Sequence, residues 1–517
     1  MKKPVHGHLP SGNLVEMISN RRNFLKITSA GIITFYSSEY HTASGWVNSD
    51  SSLANSSNTG HFLFADERII AETRNVQLKI NSCKKLDSPV IIPEKPWETE
   101  RVYTYGSAYK NPRSNNYTMW YMSRMHAGAD KKDKRLTDTP DLVLYAESSD
   151  GVHWEKPELG LYEFDGSNRN NIVAGLHSPS VLIDDTEPEK NRRYKMLGFG
   201  SRQGQRGYYT AWSADGLNWH YVSDLPVISG GDTVTLMKNP LTGEYCAYHK
   251  HPHDVRGFSR RTVWLSTSSD FMHWTEPVLV LAPDEQDDTW ASGADQRTEF
   301  YNMTVFFSGG LFLGLVSVFR VTTLQKDVQP HQSRVDGPVY TELVYSYDGS
   351  IWKRFPERIP VIPNGPSAWD SGCILGVSNP IITGDEIWVY YTGINTTHGG
   401  AIPPKKCVIG RATWRRDGFV SLESGGDGIV ETTPLQVLGK TLTVNADASM
   451  GNLTVEILTH NGAVIPEYHR DQCVPITTDR FSHKIQWKTR SNIPISIPLR
   501  LRFVCNNSRL FSFGFES

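Results

Sequence analysis

Short apolar and aromatic runs recur along the chain, and each run is followed by a polar turn. The runs are too short for ordinary helices and are typical of β-strands. Five of them occupy equivalent places in successive units, at residues 118–123, 194–199, 245–250, 311–319 and 387–393. In the first four units a second run follows and ends at a polar turn. The pattern predicts an all-β fold made of repeated sheets.

The turn itself repeats as S-x-D-G-x-x-W. Its copies span residues 148–154, 213–219, 268–274 and 346–352, and a degenerate fifth copy contains Asp417-Gly418. Aspartate accepts backbone N–H groups in turns, glycine supplies a positive φ, and tryptophan can cover a seam between sheets. Because one active site needs one acid rather than five copies of a turn, we interpret the motif as structural. Five units of about four strands predict a five-bladed β-propeller.

The repeat predicts the domain organisation. We expect the propeller to span residues 60–428, with a strand over 61–70 that closes the ring against the last blade. After residue 428 the period stops and alternating strands continue, joined by turns such as Asn461-Gly462. This second pattern predicts a C-terminal β-sandwich over residues 429–517.

The N-terminal segment resembles an export signal rather than part of the fold. Twin arginines, Arg21 and Arg22, precede Phe24 and Leu25 and a short, mildly apolar stretch. This order is similar to a bacterial twin-arginine signal, so residues 1–45 are assigned to export and the Ser/Asn-rich residues 46–59 to a linker. The predicted location is the periplasm or the exterior.

Composition narrows the classes of partner. A formal net charge of −2 argues against a nucleic-acid partner, which needs clustered Lys and Arg. No internal apolar run approaches the roughly 20 residues of a membrane span. Six cysteines lack any C-x-x-C spacing, which favours mostly free, buried thiols. The oligomeric state is left open.

Several stretches resemble the five-bladed glycoside hydrolase superfamily of arabinanases, levansucrases and invertases, which are families 32 and 43 and their relatives. The stretches that carry the resemblance are residues 63–72, 295–303, 367–376, 410–422 and the tail from residue 453. The chain is most similar to exported bacterial proteins labelled family-32-like. The resemblance covers residues 60–517 and implies hydrolysis of carbohydrates without a cofactor.

The chain departs from that superfamily in blade one. The superfamily's blade-one strand carries a catalytic aspartate, whereas residues 103–111 contain no acid and an N-D-P-N-G motif is absent. We therefore expect the acids at the starts of the other inner strands. Two carboxyl groups must flank the scissile bond. The candidates are Glu299 as general acid, Asp232 as base or nucleophile, Asp370 as pKa modulator or sugar ligand, and Asp66 as a rival base.

Further residues are expected to bind substrate. Alternation along the strand places Arg297 and Tyr301 on the face of Glu299. The other candidate substrate ligands are Asp295, His249 and Trp369. The histidine-rich run at residues 249–254 invites a metal site, but its spacing matches no closed site, so neither a metal nor a cofactor is predicted.

Three functions remain open from the sequence. The leading one is an exported glycoside hydrolase that acts on plant or algal oligosaccharides or polysaccharides. The second is a lyase or dehydratase for uronic sugars, with Arg297, His249 and Arg334 as cations near the sugar carboxylate. The third is a sugar-binding protein without catalytic activity, which the missing blade-one acid makes credible.

Overall fold

The computed structural model describes residues 60–99, 101–111, 114–125, 133, 135–329, 332–494 and 497–516. The predicted export signal and linker lie outside these residues. The described residues form strands, turns and five single-turn 3-10 helices, with no α-helix, so the all-β prediction is confirmed. The 3-10 helices are Glu67–Ile69, Lys190–Arg192, Gln286–Asp288, Ala368–Asp370 and Pro466–Tyr468.

Three sheets follow one another along the first half of the chain. Sheet 1 contains Val102–Tyr103, Ala108–Lys110, Tyr117–Arg124, Asp141–Ser148 and Ile172–Ala174. Sheet 2 contains His177–Ile183, Tyr194–Arg202, Gln205–Ser213 and His220–Tyr221. Sheet 3 contains Val234–Lys238, Tyr245–Val255, Phe258–Ser268 and Val278–Leu281. Within each sheet the paired strands are antiparallel, as short connecting turns require.

Sheet 4 has ten strands in two halves that are joined at a single residue pair, Val339 with Cys373. The first half contains Arg297–Ser308, Leu311–Val321, Val339–Ser346, Trp352–Arg354 and Pro360–Ile362. The second half contains Cys373–Val377, Ile381–Thr383, Glu386–Ile394, Cys407–Arg415 and Lys84–Lys85. A separate two-stranded ribbon contains Thr323–Leu324 and Val335–Asp336.

Sheet 5 brings the beginning and the end of the described chain together. Its strands are His61–Leu63, Ile70–Arg74, Gln77–Ile80, Val420–Thr432, Thr441–Asp447, Asn452–Thr459, Asp479–Lys484 and Leu499–Glu516. The expectation that residues 61–70 close the ring against the last blade is wrong, because His61–Leu63 pairs with Leu499–Glu516. Phe62 and Phe64 draw the segment there by packing on Phe513. Lys84–Lys85 pairs with the last strand of sheet 4 instead.

Neighbouring sheets share hydrophobic cores, and the second half of sheet 4 shares a core with sheet 1. Five of the core clusters join two consecutive sheets or half-sheets, and the one between the two halves of sheet 4 also includes Leu63 and Val420 of sheet 5. One residue from each of the two sheets represents each cluster: Trp120 and Met196, Leu197 and Leu236, Met237 and Phe300, Leu313 and Val389, and Met119 and Ile409. Full burial of one such side chain contributes about 1.5–3 kcal/mol.

The repeated turn has the structural role that its repetition predicts. At residues 213–219 the Asp215 carboxylate accepts the backbone N–H groups of Leu217 and Asn218, both at 2.8 Å. Gly216 has a φ of +79°, and a Cβ there would lie 2.6 Å from the Trp120 ring, so the close approach requires glycine. The aspartates of the other three full copies accept the same two N–H groups.

The turns also join neighbouring sheets. Trp120 of sheet 1 donates its indole N–H to the carbonyl oxygen of Gly216 in sheet 2, at 2.7 Å. Tyr248 of sheet 3 donates to the carbonyl of Gly349 in sheet 4, at 2.8 Å. Tyr390, in the second half of sheet 4, donates to the turn carbonyl at residue 151 of sheet 1, also at 2.8 Å. The turn is therefore both the end of a strand and a seam between sheets.

The Asp215→Ala substitution tests this role. It leaves two backbone N–H groups without their acceptor, so we expect the free energy of unfolding to fall by about 1–2 kcal/mol. Urea denaturation measures it. Asp254→Ala is the matched control, because this aspartate is exposed and its carboxylate makes no hydrogen bond within the described residues. Equal losses in the two variants would contradict the role.

Candidate functional site

A cavity of about 810 Å³ opens where strands of sheets 1 to 4 begin or end. Its lining is polar and aromatic, and both signs of charge are present. Residues of the lining that matter below are Tyr105, Asp141, His177, Asp232, Tyr301 and Lys405. Since each sheet contributes residues at its strand ends, the arrangement of the sheets positions this set.

A chain of ionic groups crosses the cavity wall. His177, the first residue of a sheet 2 strand, lies between two carboxylates. Its Nε2 is 3.1 Å from Asp232 Oδ1, and its Nδ1 is 3.4 Å from Asp141 Oδ1. Lys250 forms an ion pair with the other oxygen of Asp232. Arg124 donates to Asp141 at 3.1 Å.

These neighbours set the charges at neutral pH. Burial disfavours the charged imidazolium, but Asp141 and Asp232 outweigh burial and raise the pKa of His177 to about 9. Burial also opposes ionisation of Asp232, but Lys250 and His177 hold its pKa well below the usual range. Asp232 is therefore a permanent carboxylate next to an imidazolium.

Asp232 is accessible and conformationally unusual. Its side chain is 33% exposed, whereas the side chain of Asp141 is 2% exposed. It follows Gly230 and Gly231 and has a φ of +127°, a value rare outside glycine. The bonds to His177 and Lys250 hold this conformation, so the carboxylate stays directed at the cavity.

Glu299 lies in the strand Arg297–Ser308 and is 1% exposed. Arg297 donates to one of its oxygens at 2.8 Å, and Arg261 forms an ion pair with the other. Glu299 does not line the cavity, whereas Tyr301, two positions later, does. Arg261 also lies 5.2 Å from the centre of the Tyr301 ring. Glu299 therefore anchors an arginine behind the cavity wall.

Of the residues predicted to form the site, the structure brings Asp232 and Tyr301 to the cavity. The residues that do not line it are Glu299, Arg297, Asp295, His249, Asp370, Trp369 and Asp66. Asp295 is exposed, and its carbonyl accepts from Arg297 at 3.0 Å. Burial lowers the pKa of His249 to about 3, and its Nε2 contacts the Ser266 hydroxyl at 3.2 Å.

Asp370, Trp369 and Asp66 have structural partners instead. Asp370 is fully buried and pairs with Lys85 of the strand Lys84–Lys85 at 2.7 Å. Trp369 stacks on Tyr391 with ring centres 5.8 Å apart. Asp66 caps the 3-10 helix that follows it and pairs with Arg68 at 2.7 Å. These contacts explain the residue types without a substrate.

The sequence analysis does not identify the cations of the cavity or its carboxylates other than Asp232. Asp141 and His177 open apolar strands, and Lys405 precedes one by two positions. A charged side chain at or just before the start of a strand is the signal that could have identified all three. Lys250 lies inside the histidine-rich run, whose histidines suggest a metal site rather than a cation that pairs with a carboxylate.

Other features carry no chemistry in the described residues. No three His, Cys, Asp or Glu side chains among them are grouped to hold a metal ion. All six cysteines are free thiols, and five of them are buried. Within the same residues no helix is long and apolar enough to cross a membrane.

No protein-family model matches the chain. Two uncharacterised proteins of Mycobacterium tuberculosis are similar to part of it, MT1551 of strain CDC 1551 / Oshkosh and Rv1502 of strain ATCC 25618 / H37Rv. Each is 32% identical over 103 residues, which make up 20% of this chain and 29% of the relative. The match spans less than a third of either relative.

Solved structures of glycoside hydrolases are similar to the chain at low identity. A glycosyl hydrolase from Bacteroides ovatus is 13% identical, covering 65% of this chain and 94% of that protein, with a TM-score of 0.43. A structure from the GH130 family, which contains mannoside phosphorylases and glycoside hydrolases, has the same identity and coverage and a TM-score of 0.41. A thermostable family-43 glycoside hydrolase is 13% identical over 67% and 91%, with a TM-score of 0.38.

The raised pKa of His177 predicts how stability depends on pH. The pKa of His177 is about 9 in the folded protein and about 6.5 in the unfolded chain. The stabilisation that its charge contributes is therefore complete below pH 6.5 and is lost as the pH rises through 9. We expect wild type to lose up to about 3 kcal/mol more than His177→Gln between pH 6 and pH 9.5. Urea denaturation of both proteins at several pH values measures this. Parallel profiles would contradict the charge assignment.

Proposed function

We propose that sheets 1 to 3 and the two halves of sheet 4 are the five blades of a β-propeller and that the cavity is the mouth of its central funnel. The shared cores and the seam hydrogen bonds, which return from sheet 4 to sheet 1, support this arrangement. Sheet 5 is then the C-terminal β-sandwich, with the division near residue 428. The strand Val420–Thr432 continues across that position.

We further propose that the protein is a glycoside hydrolase and that Asp232 is its nucleophile or base. Glycosidic cleavage needs one ionised carboxylate and one protonated carboxyl group on either side of the scissile bond. Asp232 fits the ionised role because it is one-third exposed, faces the cavity and has a lowered pKa. An accessible, ionised carboxylate that faces the cavity is the observation that carries the proposal.

Asp138 is the proposed general acid, in place of Glu299. It lines the same cavity and is exposed. Unlike Asp141 and Asp232, it forms no ion pair within the described residues and accepts from the Ser201 hydroxyl at 3.4 Å. A bound sugar would remove water from Asp138 and so favour its protonated form. Both oxygens of Glu299 are already held by arginines.

His177 and Lys250 position the reacting carboxylate. Their contacts with the two Asp232 oxygens fix its rotamer and keep it charged. Charged hydrogen bonds of this kind are about twice as strong as neutral ones. Tyr105, Tyr301 and Phe199 also line the cavity and supply apolar ring surface for the faces of a sugar.

The proposed substrate is a plant or algal oligosaccharide or polysaccharide. The protein would act on it in the periplasm or outside the cell. The location rests on the twin-arginine pattern of residues 20–36. A uronate lyase is the second candidate, because cationic Arg and Lys side chains line the cavity. A lyase would release an unsaturated product that absorbs in the ultraviolet, and a hydrolase would not.

Substitutions of the two aspartates test the hydrolase. We expect Asp232→Asn and Asp138→Asn to lower kcat/KM at least about 100-fold on natural oligosaccharides. Aryl glycosides with acidic leaving groups need no proton, so they should restore the rate of Asp138→Asn but not that of Asp232→Asn. Initial rates on both kinds of substrate measure this.

The Asp254→Asn protein serves as the control, because Asp254 is exposed in sheet 3 and does not line the cavity. Full activity of the Asp232→Asn protein would refute its assigned role. Sugar binding without turnover on a broad panel of linkages would favour a binding protein.

A further inference from the structure

Arg101 is a buried cation whose side chain has no ionic partner among the described residues. It is 6% exposed and lines the cavity. In the part of the chain that the structure describes, its guanidinium forms no ion pair, and its buried Nε has no hydrogen-bond partner. Its main chain is fixed, since its N–H donates to the Glu98 carbonyl at 3.2 Å and it forms a β-bridge with Cys407.

Unpaired buried arginines are unusual, because removing a charge from water is costly unless a carboxylate or ligand compensates. Other buried arginines here follow that rule. Arg260 pairs with Asp288 at 2.7 Å, and Arg354 pairs with Asp287 at 2.9 Å. The exception lies in the cavity wall, where a bound anion can supply the missing charge.

Lys405 adds a second cation to the same part of the wall. It also lines the cavity and comes two positions before Cys407, the bridge partner of Arg101. Its Nζ donates to the His398 carbonyl at 2.5 Å, and it forms no ion pair within the described residues. Burial lowers the pKa of Lys405, and the charge of Arg101 acts in the same direction, whereas Cys407, Cys373 and Asp336 act against it.

Two of the three acids that line the cavity are paired with other cations. Asp141 pairs with Arg124 and His177, and Asp232 pairs with Lys250 and His177. Asp138, the third acid, forms no ion pair among the described residues, so neither Arg101 nor Lys405 is paired with a carboxylate there, although the chain as a whole carries −2.

Aromatic rings lead from Arg101 towards the middle of the cavity. Residues 101, 103 and 105 all line it, whereas the intervening Val102 and Thr104 are fully buried and do not. The rings of Tyr103 and Tyr105 stack with centres 5.8 Å apart. A sugar ring on this aromatic surface would hold a charged substituent within reach of the guanidinium.

We infer that Arg101 and Lys405 form an anion subsite and that the substrate is an acidic sugar whose carboxylate occupies it. The planar guanidinium fork matches a carboxylate with two parallel hydrogen bonds, and the ammonium adds a point charge. The inference rests on the proposed function for the presence of a sugar in the cavity. A sulfate ester offers the same oxyanion chemistry from another source.

Calorimetric binding tests the subsite with matched ligands. The probes are oligosaccharides of galacturonic, glucuronic, mannuronic and guluronic acid, each beside its carboxyl-reduced, neutral counterpart. We expect at least one acid to bind about tenfold or more tightly than its counterpart. Arg101→Gln and Lys405→Gln should remove that preference. Lys406→Gln, an exposed neighbour outside the cavity, should retain it.

Thermal unfolding separates this effect from damage to the fold. Because Arg101 has no ionic partner within the described residues, Arg101→Gln should leave Tm unchanged or raise it. Arg101→Lys keeps the charge but loses the fork, so its preference for the acid should be intermediate. An Arg101→Gln protein that loses the preference with an unchanged Tm supports the subsite.

The outcomes distinguish this inference from the hydrolase. Arg101-dependent binding of acidic sugars without turnover supports the subsite and refutes the hydrolase. Turnover of acidic sugars at an equal rate by wild type and Arg101→Gln, with no preference over the neutral counterparts, refutes the subsite alone. Preferential, Arg101-dependent binding of sulfated oligosaccharides supports the anion subsite with a sulfate ester as its ligand. Binding of inorganic phosphate by a protein that binds no acidic sugar would overturn the substrate class.

Discussion

In three of the repeated turns the carbonyl oxygen of the turn glycine accepts a hydrogen bond from the neighbouring sheet. It is presented correctly because an aspartate carboxylate holds the following N–H groups, as at Asp215, and because Gly216 leaves space for the Trp120 ring. A different turn would move both the strand end and the seam. The strand ends that line the cavity depend on these seams, since each sheet is positioned by its neighbours. The motif does not line the cavity, but it helps to position the strands that do.

Electrostatics divides the cavity into two regions with different consequences. Around Asp232 every charge has an opposite neighbour, so the carboxylate is ionised and fixed. Arg101 and Lys405 form no ion pair with a carboxylate within the described residues. The first region suits a reacting group that must keep one protonation state. The second suits recognition of an anion, because the ligand provides the missing partner.

The sequence predicted the architecture better than the site. The strand runs, the turn and the all-β class follow from period and turn chemistry, which are local properties. Residues 61–70 were misplaced because their partner strand lies more than 400 positions later, and a strand does not encode its partner. Glu299 and Asp370 were selected as acids on inner strands, but a sequence cannot show that Arg261 and Lys85 neutralise them. Asp232 lines the cavity, and its position after two glycines and before a strand is local information that a sequence contains.

The most direct test of the account is a crystal structure of the Asp232→Asn protein with a bound oligosaccharide that the wild type cleaves. We expect the sugar to bind in the cavity, with its glycosidic bond between the side chains of residue 232 and Asp138. The separation of those two side chains should then lie within the roughly 5–9.5 Å that glycoside hydrolases use. A sugar bound outside the cavity, or a glycosidic bond remote from both positions, would contradict the central claim.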